Sequence, residues 1–518
     1  MNTTLEVFLA FCPIIILVCG FLVLRLDALR ATCIAMLFQI GVVLFVYHMP
    51  VLRIVESWLW GNLVVWAGFL VLYTGQIFGR SYRSTGLLEI MLDAVGALVP
   101  PQDTKARSLA LVTVMGGMIG AFNGWSAYPV CILGLVELGF GKVQSVCAYL
   151  VFTSWFLPIA SLFITDTIAN AVTHLPQVEI AQALGLMLAP IVPVSLYGFL
   201  RILKFPFFER DTQILFWSLT LANVGSIVVF TQFFPNFYLL TMIVGALLSL
   251  AVVYVYGAVH KHHAAADGIL VPRSLSAAAA PLSQAKPVSL KDALRAFAPL
   301  LVCVGFVILL QVPEIKEAME SMRFSITAWG YGTVRVSIVT SAGFMIFVTA
   351  LACYPFGTKK CNPLTDIWNA TKHARTSLAT LVIGSGLVYL MLDAGQIDLL
   401  ARVFTSAGVK VYAAFNPALS FFGGMAFGQG VPAQMMLSKL QQPIAATFGI
   451  SAVVLVAAVA NLTHSAANPL KPTIIRMCAS LVEQKGTDPE IFRINLPWAL
   501  AQALVTGVVC YILVFTWS

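Results

Sequence analysis

Apolar segments long enough to cross a lipid bilayer recur along almost the whole of this 518-residue sequence. A helix needs about 20 predominantly apolar residues to cross the hydrocarbon core. The residues are 59% hydrophobic and only 10% charged, whereas an ordinary soluble domain carries roughly 25% charged residues. Because lipid offers backbone groups no hydrogen bonds, such segments satisfy their own groups as helices. The sequence therefore predicts an all-α integral membrane protein.

The apolar runs predict about twelve transmembrane helices and two further apolar stretches, about 108–140 and 414–441, which Gly, Pro and polar residues interrupt. We interpret both stretches as re-entrant hairpins. The crossings are predicted at about 5–24, 31–47, 57–78, 143–175, 180–200, 214–231, 237–256, 296–312, 326–353, 378–393, 445–472 and 495–515. This layout places most of the 30 Lys and Arg residues on one side, which the positive-inside rule identifies as the cytoplasm. Both termini are then predicted to lie outside.

The longest loop, residues 257–295, divides the chain into an amino-terminal membrane half, 1–256, and a carboxyl-terminal half, 296–518. It contains three histidines, an alanine run and Pro281, and we interpret it as a polar cytoplasmic linker. A histidine cluster can bind a metal, but the solvated linker is the favoured interpretation. The ten cysteines show no CxxC spacing and the net charge of +8 forms no basic tract. No metal, cofactor or nucleic acid is therefore predicted as a partner.

Two motifs occur in the same order in each half. GMIGAFNGWSAYP (117–129) precedes a crossing that contains TDTIAN (165–170), and GGMAFGQGVPAQ (423–434) precedes one that contains THSAAN (463–468). An odd number of crossings separates the two units, so the second is inverted relative to the first. Inverted repeats with broken helices are a recurrent transporter design, with the substrate at the breaks. We predict broken helices at about 143–175 and 445–472; the alternative is that Gly and Pro only kink ordinary crossings.

Polar side chains near these motifs are candidate binding groups, because a charge inside the hydrocarbon is costly unless it faces a cavity or partner. Neutral amides and hydroxyls can orient a carboxylate, and helix amino termini attract one. Lys471 either attracts an anion or extends toward the interface. The predicted substrate-binding residues are Asn123, Gly124, Ser126, Asn170, Gln429, Gly430, Gln434, Asn461, Thr463, Ser465, Asn468 and Lys471.

Asp166 and His464 occupy matching positions of the two motifs, and both side-chain types can exchange protons. We predict that they couple transport to a proton. The alternatives are that Asp166 only caps a half-helix and that His464 is a packed neutral imidazole.

No HExxH, GxSxG or Walker A motif is present, so neither an enzyme nor a nucleotide-driven pump is predicted. The predicted function is secondary active transport of a small organic anion with alternating access around a midplane site. A sodium-coupled or exchange carrier or exporter of a dicarboxylate or sulfonate stays open, as do an anion channel and a homo-oligomeric assembly.

Short motifs spread over most of the length resemble the lactate permease family, bacterial inner-membrane carriers of lactate and glycolate coupled to protons. They are Met49-Pro50, Ala121-Phe122, Pro129-Val130, Leu138-Gly139-Phe140, Gly395-Gln396, Leu400-Ala401, Phe422-Gly423-Gly424, Gly428, Leu440-Gln441 and Val459-Ala460-Asn461. The resemblance implies proton-coupled transport across a bacterial plasma membrane. The chain departs from the family's pattern at both hairpin tips, which leaves the exact carboxylate open.

Overall fold

The structure is a computed structural model that describes residues 3–22, 24, 26–100, 102–266, 289–310, 312–426, 430–484 and 486–517. The amino-terminal half contains α1 (Thr3–Leu22), α2 (Ala28–Phe45), α3 (Val51–Val64), α4 (Trp66–Ser84), α5 (Leu87–Gly96), α6 (Thr104–Ala110), α7 (Gly116–Phe122), α8 (Gly124–Glu137), α9 (Lys142–Thr153), α10 (Ala160–Thr173), α11 (Gln177–Leu188), α12 (Ile191–Ile202), α13 (Arg210–Val228) and α14 (Thr241–Ala266).

The carboxyl-terminal half is helical except for one short sheet. It contains α15 (Leu290–Leu309), α16 (Pro313–Ser321), β1 (Phe324–Thr327), β2 (Thr333–Val336), α17 (Ala342–Phe356), α18 (Pro363–Asp393), α19 (Gln396–Thr405), α20 (Val409–Ala426), α21 (Gly430–Phe448), α22 (Ala452–His464), α23 (Pro472–Leu481) and α24 (Asp488–Thr516).

Helices of membrane-spanning character run through both halves. Within the described residues six helices are long and apolar enough to cross a bilayer, or up to nine if three bent pairs each count as one span. The bent pairs are α3–α4, α9–α10 and α11–α12, and shorter apolar helices lie in α1, α2 and α17. Each predicted crossing overlaps one of these helices or pairs, although that predicted at 326–353 does so only from Ala342 onward. The fold class, an all-α integral membrane protein, is confirmed; the number of crossings, the inverted repeat and the division into halves stay predictions.

Two helical hairpins lie where the sequence shows its interrupted apolar stretches. The first hairpin, residues 104–137, turns at Asn123, and the second hairpin consists of α20 and α21; residues 427–429 between them lie outside the described part. The extended backbone of Asn123 ends α7, and its Oδ1 accepts a hydrogen bond from the Trp125 amide at 3.1 Å. This side chain therefore caps α8 at its amino terminus.

Two helices that follow the hairpins in the chain are each interrupted by a short non-helical segment. The first break, residues 154–163, separates α9 from the helical part of α10, and the second break, residues 465–471, separates α22 from α23. In the first, Ser161, Leu162 and Phe163 have φ between 51° and 57°. Left-handed backbone costs about 1–2 kcal/mol per non-glycine residue. Strain of this kind persists where the surroundings impose it, often at functional sites.

The first break does not lie where the sequence predicted it. TDTIAN (165–170) is helical, and the chain is interrupted before it. Each break contains one 3₁₀ turn with a central proline, Pro158 or Pro469, and a proline ends helical hydrogen bonding because it has no N–H. The prediction of a break at TDTIAN is therefore wrong, whereas the pairing of Asp166 with His464 as counterparts in the repeat stays a prediction.

Residues 324–336 form a β-hairpin instead of the start of a predicted crossing. Strands β1 and β2 pair antiparallel, with Phe324 opposite Val336, and α17 begins only at Ala342. The β-branched residues of this apolar run suit a pleated strand as well as a membrane helix. The prediction that the crossing begins at residue 326 is therefore wrong.

One arginine holds the turn of this β-hairpin against the helices. The Arg53 guanidinium lies 3.2 Å from the Asp393 carboxylate, and it donates a hydrogen bond of 3.0 Å to the Trp329 carbonyl. It also stacks 4.0 Å from the centre of the Tyr331 ring. Tyr331 in turn donates a hydrogen bond to Asp393, so the four residues fix the turn to α3 and α18.

The predicted topology places α17 across the membrane between two exposed positions, Glu317 and Lys359. We expect Glu317→Cys to react with a membrane-impermeant maleimide in intact cells, and Lys359→Cys to react only in inside-out vesicles. Both changes are made with Cys361→Ser, because that native thiol lies next to the second position. Labelling of both positions from one side would contradict the layout.

Candidate functional site

The two hairpins and the two breaks pack together in the interior. A Cβ atom on Gly124, the first residue of α8, would lie 3.1 Å from Leu157 and 3.3 Å from Ala160, so the first hairpin rests on the first break. Gly430, the first residue of α21, lies against the His464 ring at the end of α22. Glycine at both hairpin turns therefore permits the close approach of each hairpin to a broken helix.

Side-chain hydrogen bonds connect each hairpin to the other broken helix as well. Asn468 in the second break donates from Nδ2 to the Tyr128 hydroxyl of the first hairpin at 2.7 Å. Gln434 of the second hairpin donates from Nε2 to the Thr165 carbonyl of α10 at 2.6 Å. Both predicted groups, Asn468 and Gln434, therefore lie where all four elements meet, which we call the central region.

Lys471 is a buried cation in the second break. Its side chain is 2% exposed, and Nζ donates a hydrogen bond of 2.7 Å to the Thr463 carbonyl near the end of α22. Among the described residues no carboxylate forms an ion pair with it. Burial of an unpaired charge is costly, and the one described hydrogen-bond acceptor of this side chain is a neutral carbonyl.

Asp166 is a fully buried carboxyl one turn after the first break. Oδ1 lies 3.3 Å from the Thr165 hydroxyl, but that hydroxyl donates a shorter bond, 2.6 Å, to the Pro158 carbonyl. Within the described protein Oδ2 has no hydrogen-bond partner. The carboxyl is therefore weakly held by its neighbours.

His464 lies at the end of α22 with its ring against Gly430. Nδ1 is 3.0 Å from the Thr463 hydroxyl and 3.3 Å from the Ala460 carbonyl. The Thr463 hydroxyl donates its proton to the Val459 carbonyl at 2.7 Å, so it can only accept from Nδ1. Both described neighbours of Nδ1 therefore belong to α22, and this helix orients the imidazole.

Three predicted residues of the central region keep polar atoms free. Within the described protein Asn123 Nδ2, Gln434 Oε1 and Ser465 Oγ are buried without a hydrogen-bond partner. The large majority of buried side-chain polar atoms in proteins are paired. These atoms are therefore available to a polar ligand.

Three predicted residues are not among those that the structure brings together in the central region. Asn170 donates to the Leu175 carbonyl at 2.7 Å, at the far end of α10 from the break. Asn461 is buried with Nδ2 3.5 Å from the Thr506 hydroxyl, so its amide is directed toward α24. Gln429 lies outside the described residues.

Helix α4 contributes to the central region although the sequence analysis did not select it. A Cβ atom on Gly75 would lie 3.3 Å from Asn123 Cγ, and Gly79 lies directly against the Ser126 hydroxyl. The two glycines form a GxxxG pattern, which permits close helix contacts in membranes. This pattern was a usable sequence signal, as was Tyr128, the partner of Asn468.

Two cavities lie at opposite ends of α4. The first cavity has a volume of about 450 Å³ and is lined by residues that include Ser126 of α8 and Thr473 of α23. The second cavity, about 760 Å³, is lined by residues that include Thr167 and Asn170 of α10 and Arg335 of β2. Each broken helix therefore reaches one cavity.

Both cavities carry basic groups. The basic residues that line the first are Arg80, Arg83 and His373, and those that line the second are His174 and Arg335. No described lining residue of either cavity is acidic. A cleft lined by one sign of charge raises the local concentration of the opposite ion, and the charged groups that line both cavities are basic. No group of three His, Cys, Asp or Glu residues able to hold a metal occurs in the described chain.

Sequence comparison finds relatives along the full length. The family model described as L-lactate permease matches residues 6–517. The chain is 20% identical to the L-lactate permease of Bacillus subtilis (strain 168), with 100% of this chain and 97% of the relative covered. It is 21% identical to the L-lactate permease of Salmonella typhi with the same coverage of both chains.

Two solved structures are similar over most of the chain. The YdaH transporter of Alcanivorax borkumensis aligns with a TM-score of 0.49 and 13% identity, over 90% of this chain and 89% of that chain. MtrF of Neisseria gonorrhoeae, described among antimetabolite efflux pumps, aligns with a TM-score of 0.41 and 12% identity, over 87% of this chain and 81% of that chain.

The contact between Gly79 and Ser126 predicts a specific effect of a single methyl group. Gly79→Ala should destabilise the fold by about 1–3 kcal/mol, the usual cost of overpacking, and lower the thermal unfolding midpoint in detergent. Gly79→Ala combined with Ser126→Gly should recover most of the loss. Gly41→Ala is the matched control, because a Cβ atom there meets nothing within 4 Å. Equal midpoints for Gly79→Ala and this control would disprove the close contact.

Proposed function

The chain belongs to the L-lactate permease family, and from this premise we propose that it is a proton-coupled carrier of a small 2-hydroxy carboxylate such as lactate or glycolate. The family match makes the protein a multi-pass membrane transporter, and its named relatives are permeases rather than enzymes. The substrate, the coupling ion and alternating access are the parts that we propose.

Lys471 is the observation on which the proposal of an anionic substrate rests. The ammonium group is buried between two half-helices and its described partner is the neutral Thr463 carbonyl. Lys471 also precedes the first residue of α23, where the helix dipole is positive. A carboxylate bound there would neutralise the ammonium and accept hydrogen bonds from it.

The unpaired polar atoms of the central region support a hydroxy acid as the substrate. A 2-hydroxy carboxylate carries a hydroxyl that both donates and accepts a hydrogen bond. Ser465 Oγ can donate one, Gln434 Oε1 can accept one, and both are buried without partners in the described protein. Two of the four elements of the central region supply these atoms, so the substrate would hold them together.

Asp166 is the proposed proton carrier. Intramembrane carboxyls recur as proton relays in transporters, and this one is buried next to Thr165 of α10, whose carbonyl accepts the hydrogen bond from Gln434. A change in the protonation of Asp166 would therefore act on the same helix to which the second hairpin is attached. His464 is kept as a second candidate that contacts the second hairpin at Gly430.

The two cavities support alternating access. On the predicted topology the first cavity faces the cytoplasm and the second faces outside, with the central region between them. Each cavity is reached by one broken helix, α23 or α10. Movement of the hairpins against the breaks would then open one cavity to the substrate while it closes the other.

The role of Lys471 is tested by Lys471→Met, which keeps the length of the side chain and removes the charge. We expect exchange of labelled L-lactate in proteoliposomes to fall at least about ten-fold, because a charge-assisted contact to the substrate is lost. The unfolding midpoint should change little, because loss of the hydrogen bond to the Thr463 carbonyl is offset by removal of an unpaired buried charge.

Lys439→Met is the matched control, since Lys439 lies on α21 and is only partly buried. It should retain exchange within about two-fold. If Lys471→Met retains exchange, or if it unfolds the protein while Lys439→Met does not, the ammonium has a structural role and the proposed anion site is wrong.

The role of Asp166 is tested by Asp166→Asn, which keeps a hydrogen-bonding side chain of the same shape. Accumulation driven by a pH gradient should be lost, because the side chain no longer releases a proton. Lactate exchange should continue within about three-fold, because exchange does not require that release.

Glu137→Gln, a change at an exposed carboxyl at the end of α8, serves as the control and should keep both activities. Full gradient-driven accumulation by Asp166→Asn would exclude Asp166 as the proton carrier. Accumulation by the wild type in response to a sodium gradient instead would favour the sodium-coupled alternative.

A further inference from the structure

The first cavity contains an arginine, Arg80, that takes no part in the central region. Arg80 lies on α4 and is half-buried, and its guanidinium Nη2 lies 2.8 Å from Nε2 and 2.9 Å from Nδ1 of the His373 ring of α18. His373 Nδ1 lies 2.8 Å from the Asn369 carbonyl. Because the carbonyl only accepts hydrogen bonds, Nδ1 carries the proton and Nε2 accepts from Arg80.

Arg80 has no acidic partner among the described residues. A guanidinium has five N–H donors, whereas a neutral imidazole has only one acceptor nitrogen. Most donors of Arg80 are therefore not used by His373. Carboxylates bind a guanidinium through two parallel hydrogen bonds. The cavity thus holds a fixed cation with spare donors in a wall without acids.

Neutral polar groups surround the same space and continue into the central region. Gln76 of α4, Ser126 of α8 and Ser377 of α18 line the cavity with Arg80. Ser126 belongs to the first turn of α8, the helix that Asn123 caps, and Thr473 belongs to the first turn of α23. The first turns of these two helices, where the helix dipole is positive, therefore border this cavity.

We propose that the first cavity contains a second carboxylate-binding site, centred on Arg80, which holds the substrate between the central region and the cytoplasm. The proposal rests on the proposed function and names an additional site on the same path. The carboxylate binds the Arg80 guanidinium, and Ser126 and Ser377 are within the same cavity to bind the hydroxyl. His373 is a positioning residue that keeps the guanidinium directed across the cavity.

The volume indicates which ligands this site accepts. The cavity volume of about 450 Å³ falls in the range of sites that hold drug-sized molecules. It is therefore larger than the volume that one three-carbon acid fills. Trp125, Pro129 and Ile119 provide an apolar wall. Monocarboxylates with larger apolar groups should therefore enter the site from the cytoplasmic side and compete with lactate there.

Sided exchange kinetics test the proposal. The KM for L-lactate is measured at each face in right-side-out and inside-out vesicles, with the opposite face saturated. Arg80→Gln should raise the KM at the cytoplasmic face about ten-fold or more, the effect of a lost charge-assisted pair, and change the outer KM by less than about two-fold. His373→Gln should give a smaller increase at the same face, because an amide can also accept from Arg80.

Two variants serve as controls. Lys372→Gln removes a charge next to His373, but that ammonium lies 5.3 Å from the centre of the Trp368 ring and does not line the cavity; neither KM should change. Arg335→Gln, in the second cavity, should raise only the outer KM if that arginine attracts the substrate from outside.

Equal KM changes at both faces for Arg80→Gln, or no change at the cytoplasmic face, would overturn the proposed site. A wild-type protein that exchanges no lactate at either face would instead overturn the proposed function. A phenyl-substituted 2-hydroxy acid that inhibits only from the cytoplasmic face, and loses its effect in Arg80→Gln, would support the second site. Inhibition of equal strength from both faces would contradict it.

Discussion

A helix that ends inside a membrane leaves backbone groups without partners, and the interior of this protein is organised by the side chains that replace those partners. Lipid cannot bind a free N–H or C=O group, and each unsatisfied one costs several kcal/mol. Asn123 supplies an acceptor at the start of α8, and Lys471 supplies a donor to the Thr463 carbonyl near the end of α22. Polar side chains thus lie in the core where interrupted helices need hydrogen-bond partners for their backbone groups.

The same requirement brings the functional groups together. A side chain that satisfies a broken helix from a neighbouring element must lie within hydrogen-bond distance of it, so hairpins and breaks cannot be separated without loss of those bonds. Gly75 and Gly79 of α4 let Asn123 and Ser126 approach to contact distance. The atoms that remain unpaired, such as Ser465 Oγ, then face a small region that a polar substrate can complete.

The sequence predicted the helical membrane fold because hydropathy reports burial in lipid directly. It predicted residues of the central region, including Gln434 and Asn468, because polar groups beside Gly and Pro in apolar segments are rare. It failed where two structures suit the same composition. The β-branched run after residue 326 fits a strand as well as a helix, and TDTIAN looked like a break although Pro158 upstream ends the helix. The hydrogen bond between Asn468 and Tyr128 joins residues far apart in the chain, and no local pattern encodes it.

A proton-coupled carrier must itself convert a proton gradient into a gradient of a hydroxy acid. Accumulation of labelled L-lactate by the purified wild-type protein in proteoliposomes measures this conversion. With an imposed pH gradient, alkaline inside, and the membrane potential clamped, we expect lactate to rise inside above the level that protein-free liposomes reach by diffusion of the undissociated acid. The initial rate should saturate with lactate concentration and collapse when a protonophore removes the gradient. Uptake that matches protein-free liposomes, or that follows only an imposed sodium gradient, would contradict the account.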